Sequence, residues 1–246
     1  MTQIALVTGA AQGLGYAIAA QLYAAGYAVV LSDLSQAAAN ASARRLDPSG
    51  ERVLALRLDV GCKADFEQAL AATVQRFGAL HVLVNNAAMT LATPLMQISP
   101  EEFERVTNIN QRGTFLGCQV LGAYLAGQGY GRIINMASLA GQNGGTATGG
   151  HYAASKGAII TLTKIFAKEL AARGVTVNAI APGPIDSPAV HAVVAPERME
   201  QLLAAIPVKR LGSADYIGRL VVQLAEQDAY FVTGATWDVN GGLFMR

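Results

Sequence analysis

Seven short runs rich in Val, Ile and Leu recur along the 246-residue chain, separated from one another by longer stretches of helix-like sequence. They are Ile4–Thr8, Ala28–Ser32, Arg52–Leu58, His81–Asn85, Arg132–Met136, Val175–Ile180 and Thr236–Asn240. Most lack the polar alternation of a strand with one wet face, so both faces of each are expected to be covered. A βαβα rhythm of this kind predicts an α/β protein: a seven-stranded parallel sheet with helices on both faces. Right-handed crossovers wind such a sheet outward from its first strand. No repeat, low-complexity tract or Pro/Ser-rich linker interrupts the rhythm, which predicts a single domain over residues 1–246. Its largest excursion is Ser187–Gly212, between the sixth strand and the helix before the seventh.

Composition matters because the chain is apolar enough to raise the question of lipid. Apolar residues make up 52% and charged residues only 14%. Polar breaks nevertheless keep every window short of the ~18 uninterrupted apolar residues of a spanning helix. The first basic residue is Arg44, so the N-terminus has no positively charged leader region. The apolar surplus is mostly Ala, with Gly abundant beside it, which suits close packing of helices on a sheet or of subunits on each other. Net charge is +1 with scattered Lys and Arg, which argues against nucleic acid or an anionic membrane as a partner. Cys62 and Cys118 lie far apart without CxxC spacing, fitting a reducing, cytoplasmic location. His81, His151 and His191 show no metal-ligand spacing, so no metal is expected.

The first strand runs directly into Thr8-Gly9-Ala10-Ala11-Gln12-Gly13-Leu14-Gly15, and a helix-like segment follows. Glycines in such a turn allow a sharp reversal, close backbone approach to a pyrophosphate, and tight strand–helix packing. The helix start adds free N–H groups and the positive end of its dipole. Asp33 ends the second strand, where a carboxylate can accept hydrogen bonds from the ribose hydroxyls of NAD. The 2′-phosphate of NADP would meet that charge at a cost of about 4 kcal/mol per unit-charge pair before screening. Neither Gln12 nor Leu34 supplies a compensating cation, so NAD is the expected cofactor.

Tyr152 and Lys156 are four apart near the start of a long helical segment, Tyr152–Ala172, and so share a face. A neighbouring ammonium favours the phenolate and would lower a tyrosine pKa from about 10. Ser138 follows the fifth strand, Asn110 begins a further helix-like stretch, Asn85-Asn86-Ala87-Ala88 closes the fourth strand, and Pro182-Gly183-Pro184-Ile185-Asp186-Ser187 follows the sixth. Several of these polar signals fall just beyond the carboxyl ends of parallel strands, where open α/β sheets bind ligands.

Taken together the chain resembles the short-chain dehydrogenase/reductase family along essentially its whole length. The resemblance implies a Rossmann-type, doubly wound fold and an NAD-dependent oxidoreductase that interconverts a secondary alcohol and a ketone. It implies Tyr152 as acid/base, Ser138 as the group that orients the reacting oxygen, and Lys156 as the ribose-binding residue that tunes Tyr152. Asn110 would hold a water in a proton relay. Gly9, Gln12, Gly13, Leu14, Gly15, Asp33, Asp59, Val60, Asn86, Ala87 and Ala88 would contact the cofactor, together with Tyr152 and Lys156. Pro182, Gly183, Ile185 and Ser187 would meet the nicotinamide carboxamide. Ala88 stands where the family usually has Gly, a change that strains the chain only if φ there is positive. Ser187 stands for the usual Thr and keeps the hydroxyl.

The excursion 187–212 is expected to form a substrate lid, with Val190, Val193, Val194 and Met199 apolar and His191 and Glu197 polar. The expected partners are a small-molecule alcohol or ketone and further copies of the chain in a homotetramer. Two other readings are a 3-oxoacyl-(acyl-carrier-protein) reductase, an activity usually served by NADPH, and a non-catalytic NAD-sensing protein on the same fold.

Overall fold

A computed structural model describes residues 2–145, 148–187, 190 and 196–245. Seven strands form one parallel sheet: β1 Ile4–Thr8, β2 Ala28–Asp33, β3 Val53–Arg57, β4 Val82–Asn85, β5 Gly131–Met136, β6 Val175–Pro182 and β7 Thr236–Val239. Their order is β3-β2-β1-β4-β5-β6-β7, and every neighbouring pair runs parallel. The doubly wound α/β fold read from the sequence is therefore the fold observed. Strand ends differ from the expected ones by only a residue or two.

The helices are α1 Gly13–Ala24, α2 Gln36–Leu46, α3 Lys63–Phe77, α4 Pro100–Thr107, α5 Gly113–Gly127, α6 Ala140–Asn143, α7 Gly150–Leu170, α8 Pro196–Ala205 and α9 Ala214–Ala225. Alternate residues of β1, β2, β4 and β5 feed two separate cores. Ile4, Leu6, Val30, Leu83 and Ile133 pack with Phe66 of α3, Leu121 of α5 and Leu170 of α7. Ala5, Val7, Val29, Leu31 and Val84 pack with Ile18 of α1 and Val221 of α9. This period of two, hidden in the sequence because both sets are apolar, explains the unbroken hydrophobic strands.

The winding direction reverses between β1 and β4, and a crevice opens at their carboxyl ends. Among the described residues no helix is long and apolar enough to cross a membrane. The excursion after β6 is closed at its root: Ile185 bridges Gly212, and the Asp186 amide donates to the Gly212 carbonyl at 2.8 Å. Of the expected lid residues, His191, Val193 and Val194 lie outside the described residues, as does the side chain of Glu197.

Candidate active site

At the crevice the loops after β1 and β4 lock together through short side chains. Thr8 Oγ1 accepts from the amides of Asn86 and Ala87, both at 3.0 Å. Asn86 Nδ2 donates to the carbonyls of Thr8 at 2.9 Å and Gly9 at 3.1 Å. Gly9 has φ +63°, and a Cβ there would stand 2.8 Å from the Ala87 Cα. A Cβ at Gly15 would overlap the Gly9 carbonyl oxygen and reach the Asn86 amide nitrogen at 2.5 Å. Gln12, the N-cap of α1, makes no side-chain capping bond, and the first turn carries no acidic residue. The helix start thus presents amide N–H groups without a competing carboxylate.

This turn forms one wall of a groove of about 450 Å³. Gly9, Gln12, Leu14, Gly15, Asp33, Asp59, Val60, Asn86, Ala87 and Ala88 all line it, as do Leu34, Leu58, Met89 and Ile109. Gly13 has φ +56°, and a Cβ there would have nothing within 4 Å, so its backbone faces open space. Asp33 is held in place: one carboxylate oxygen accepts from the Ala11 amide and the other from the Ser35 amide, each at 3.2 Å. Arg57 stands in register with Asp33 on β3, but its guanidinium pairs with Asp65 at 2.8 Å. Asp59 accepts from the Gly61 amide at 2.9 Å in a tight local turn.

Beyond β5 the chain turns so that Ser138 Oγ accepts from the Ala140 amide at 3.1 Å and stands close enough to the Tyr152 hydroxyl to influence its titration. Lys156 is buried one turn further along α7. Its ammonium donates to the Met136 carbonyl at 2.6 Å and lies 5.6 Å from the Tyr152 ring centre. Asn110 sits in a π-helical turn, Asn108–Arg112, that joins α4 to α5. Such turns are frequent at functional sites because they re-aim side chains and backbone groups. Its amide is fully buried; it accepts from the Met89 N–H at 2.7 Å and donates to the Met89 carbonyl and to Ser155 Oγ, both at 3.0 Å. Ser155 in turn donates to the Tyr152 carbonyl at 2.7 Å. On the β6 side, the Leu139 amide donates to the Pro182 carbonyl and the Gly183 amide to the Val239 carbonyl, both at 2.9 Å. Ser187 Oγ accepts from the Val190 amide at 3.3 Å.

Comparison with known proteins bears on what this arrangement is. A sequence model described as enoyl-(acyl carrier protein) reductase matches residues 9–244. The chain is 39% identical over 248 residues to the 2-(R)-hydroxypropyl-CoM dehydrogenase of Xanthobacter autotrophicus, covering 98% of both chains. It is 37% identical over 246 residues, all of both chains, to the 3-oxoacyl-(acyl-carrier-protein) reductase of Staphylococcus epidermidis. A hydroxy(phenyl)methylsuccinyl-CoA dehydrogenase subunit of Thauera aromatica is 35% identical over 241 residues, 98% of this chain and 96% of that one.

The chain belongs to the short-chain dehydrogenase/reductase family.

Within this family member, the electrostatics of the Tyr152 cluster differ from the expectation drawn from YxxxK spacing. Burial raises the Tyr152 pKa above its usual 10.0, and hydrogen bonds from Ser138 and Thr90 only partly offset it. Lys156 is desolvated as well, and its pKa falls to about 8. Both amide hydrogens and the amide oxygen of Asn110 are engaged with Met89 and Ser155, so its side chain fastens the loop after β4 to α7. His151 is buried within the first turn of α7. Ala88 is unstrained, since Lys209 is the one non-glycine residue with positive φ among the described residues.

Three participants escaped the sequence reading. Thr90 reaches the Tyr152 hydroxyl because Asn110 pins Met89 on one side and the Gly149 amide donates to the Leu91 carbonyl at 2.7 Å on the other. Ser155 relays Asn110 to the helix backbone, and Ser42 of α2 donates to the Ala11 carbonyl at 2.6 Å, bracing the Gly-rich turn. Ser155 falls inside the YxxxK motif and its buried face was legible there; Thr90 and Ser42 carry no motif.

Proposed function

We propose that this protein is an NAD(H)-dependent oxidoreductase that interconverts a secondary alcohol and a ketone, with Tyr152 as the acid/base. The observation that carries the reading is the meeting of Ser138, Thr90 and Tyr152 hydroxyls beyond β5, with Lys156 buried beside them and the Gly-rich groove alongside. The groove fits a dinucleotide: Gly9 and Gly15 let the turn close against Ala87 and Asn86, Gly13 leaves its backbone facing open space, and the uncapped start of α1 offers its amides to a pyrophosphate. Asp33 would take the adenosine ribose hydroxyls, and Lys156 the nicotinamide ribose. The nicotinamide, when bound, supplies the acceptor or donor of hydride.

The chain's own task is to hold and move one proton. In reduction, Tyr152 gives its phenolic proton to the ketone oxygen as negative charge develops there; in oxidation, the phenolate takes the alcohol proton. Ser138 donates a second hydrogen bond to the same oxygen and stabilises that charge. A raised Tyr152 pKa keeps the phenol protonated near neutrality, which suits the reductive direction. The excursion 187–212 is proposed as the lid, and Pro182, Gly183, Ile185 and Ser187 as contacts to the nicotinamide carboxamide. Exposed Phe103, Phe115 and Ile165 on α4, α5 and α7 support assembly of several copies, tested by light scattering.

A second reading, reduction of a 3-oxoacyl chain on a carrier, is favoured by the relatives. Their names specify substrates borne on coenzyme M, CoA or acyl carrier protein. Asp33 weighs against NADPH in that role. The test is turnover of ketones, secondary alcohols and 3-oxoacyl thioesters with each nicotinamide cofactor. Tyr152→Phe should lose about 10²–10⁴-fold in kcat; turnover equal to the parent's would remove Tyr152 from the chemistry.

A further inference from the structure

We infer that His151 and Glu102 form a positioning tether that holds the first turn of α7, and with it the Tyr152 hydroxyl, against α4. The inference rests on the acid/base reading of Tyr152. Its structural basis is a mismatch between two helix starts. α4 begins with Pro100 in its first turn, and Ser99 Oγ accepts from the Glu102 amide at 3.2 Å, so Glu102 stands on a well-capped turn. α7 begins at Gly149-Gly150 without a side-chain cap, after Gly144 at φ +86° and Gly145 at φ +71°. First turns leave amides unsatisfied and fray, and glycine adds backbone freedom. Tyr152 lies in that weak turn.

The pair joins the strong start to the weak one. His151 Nε2 lies 3.0 Å from Glu102 Oε1, with the imidazole wholly buried and the carboxylate 20% exposed. As the Nε2–H tautomer the ring donates to the carboxylate, and the buried Nδ1, which has no partner, remains a lone pair. The ring edge rests on Gly149: a Cβ there would come within 2.5 Å of Nδ1 and overlap Cε1. Consecutive helical residues project about 100° apart, so His151 turns into α4 while Tyr152 turns toward Ser138. One turn further along, Asn110 and Ser155 make the next fastening at 3.0 Å. Neither His151 nor Glu102 hydrogen-bonds the Tyr152 hydroxyl, so their effect on it is through position alone.

The test compares the full-length parent with Glu102→Ala, Glu102→Gln and Gly149→Ala by amide hydrogen exchange and steady-state kinetics. Glu102→Ala and Gly149→Ala should each speed exchange at residues 150–155 by about tenfold, leaving α5 unchanged. Each should lower kcat by about tenfold, with the cofactor KM within about twofold of the parent's. Glu102→Gln, which keeps the acceptor oxygen, should recover most of both. Unchanged exchange in Glu102→Ala, faster exchange with parental kcat, or a Gln variant no better than Ala would each overturn the tether. A Tyr152→Phe variant with parental turnover overturns the acid/base reading and the kinetic half of the tether, while the exchange comparison still decides whether the pair holds the turn.

Discussion

The two ends of the crevice are built by different means. At the β1/β4 end, backbone packs on backbone: Gly9 against Ala87 and Gly15 against the Gly9 carbonyl, with Thr8 and Asn86 stitching the loops. At the β5/α7 end, side chains do the fastening, through Asn110 to Met89 and Ser155, and Lys156 is buried without a carboxylate among its hydrogen-bond partners. The first end excludes volume and carries little electrostatic cost. The second depends in addition on buried polar groups keeping their partners, since an orphaned one costs about 1–3 kcal/mol.

This contrast can be broken by experiment. The largest effect is expected from Gly15→Ala, whose Cβ has no room beside the Gly9 carbonyl and Asn86. It should lose about 2–3 kcal/mol of stability in denaturant titration and at least ~100-fold in NADH affinity by fluorescence. Parental affinity would mean that the backbone contact is not what shapes the groove. Asn110→Leu should cost about 2–3 kcal/mol by stranding the Met89 backbone groups, and should lower kcat with cofactor affinity intact. Equal losses in both would dissolve the distinction between the two ends.

Lys156 gives the contrast a pH signature. Its folded pKa, about 8, lies below its ordinary 10.5, so between those values the unfolded chain binds the proton and the native one does not. Stability should therefore rise with pH across this window, by up to about 3 kcal/mol, and be lowest below pH 8. Buried Tyr27, raised to about 12, and Tyr152, raised likewise, act oppositely once pH passes the usual tyrosine pKa of 10.0, so melting is best followed between pH 7 and about 9.5. Lys156→Met should flatten the slope. At the cofactor end, Asp33→Ala should shift the NAD-to-NADP ratio of kcat/KM toward NADP by about tenfold or more. Ala88→Gly should be the smallest change: with no positive φ to relieve, it should cost about 0.4–1 kcal/mol through unfolded-state entropy.

Some of this was legible in the residues and some was not, for physical reasons. The strand–turn–helix of the Gly-rich segment is contiguous, and its interactions are local, so Gly9, Gly13 and Gly15 declared themselves. The same holds for the strands, whose apolar runs give position without revealing which residue faces which core. Thr90 and Ser42 were invisible because each acts on a partner more than thirty residues away in sequence, in a loop or helix with no spacing of its own. His151 gives no signal of its own for a related reason: only the carboxylate of Glu102, brought by α4, accounts for its burial.

The sequence by itself determined the doubly wound sheet, the single reversal point and the family, because all three follow from hydrophobic rhythm and contiguous motifs. Tertiary structure alone decided the direction of the Tyr152 and Lys156 pKa shifts. Spacing on a helix says that an ammonium is near a phenol. How far both are removed from water depends on β5, α6 and the loop after β4 closing around them, and in this protein that desolvation leads both shifts.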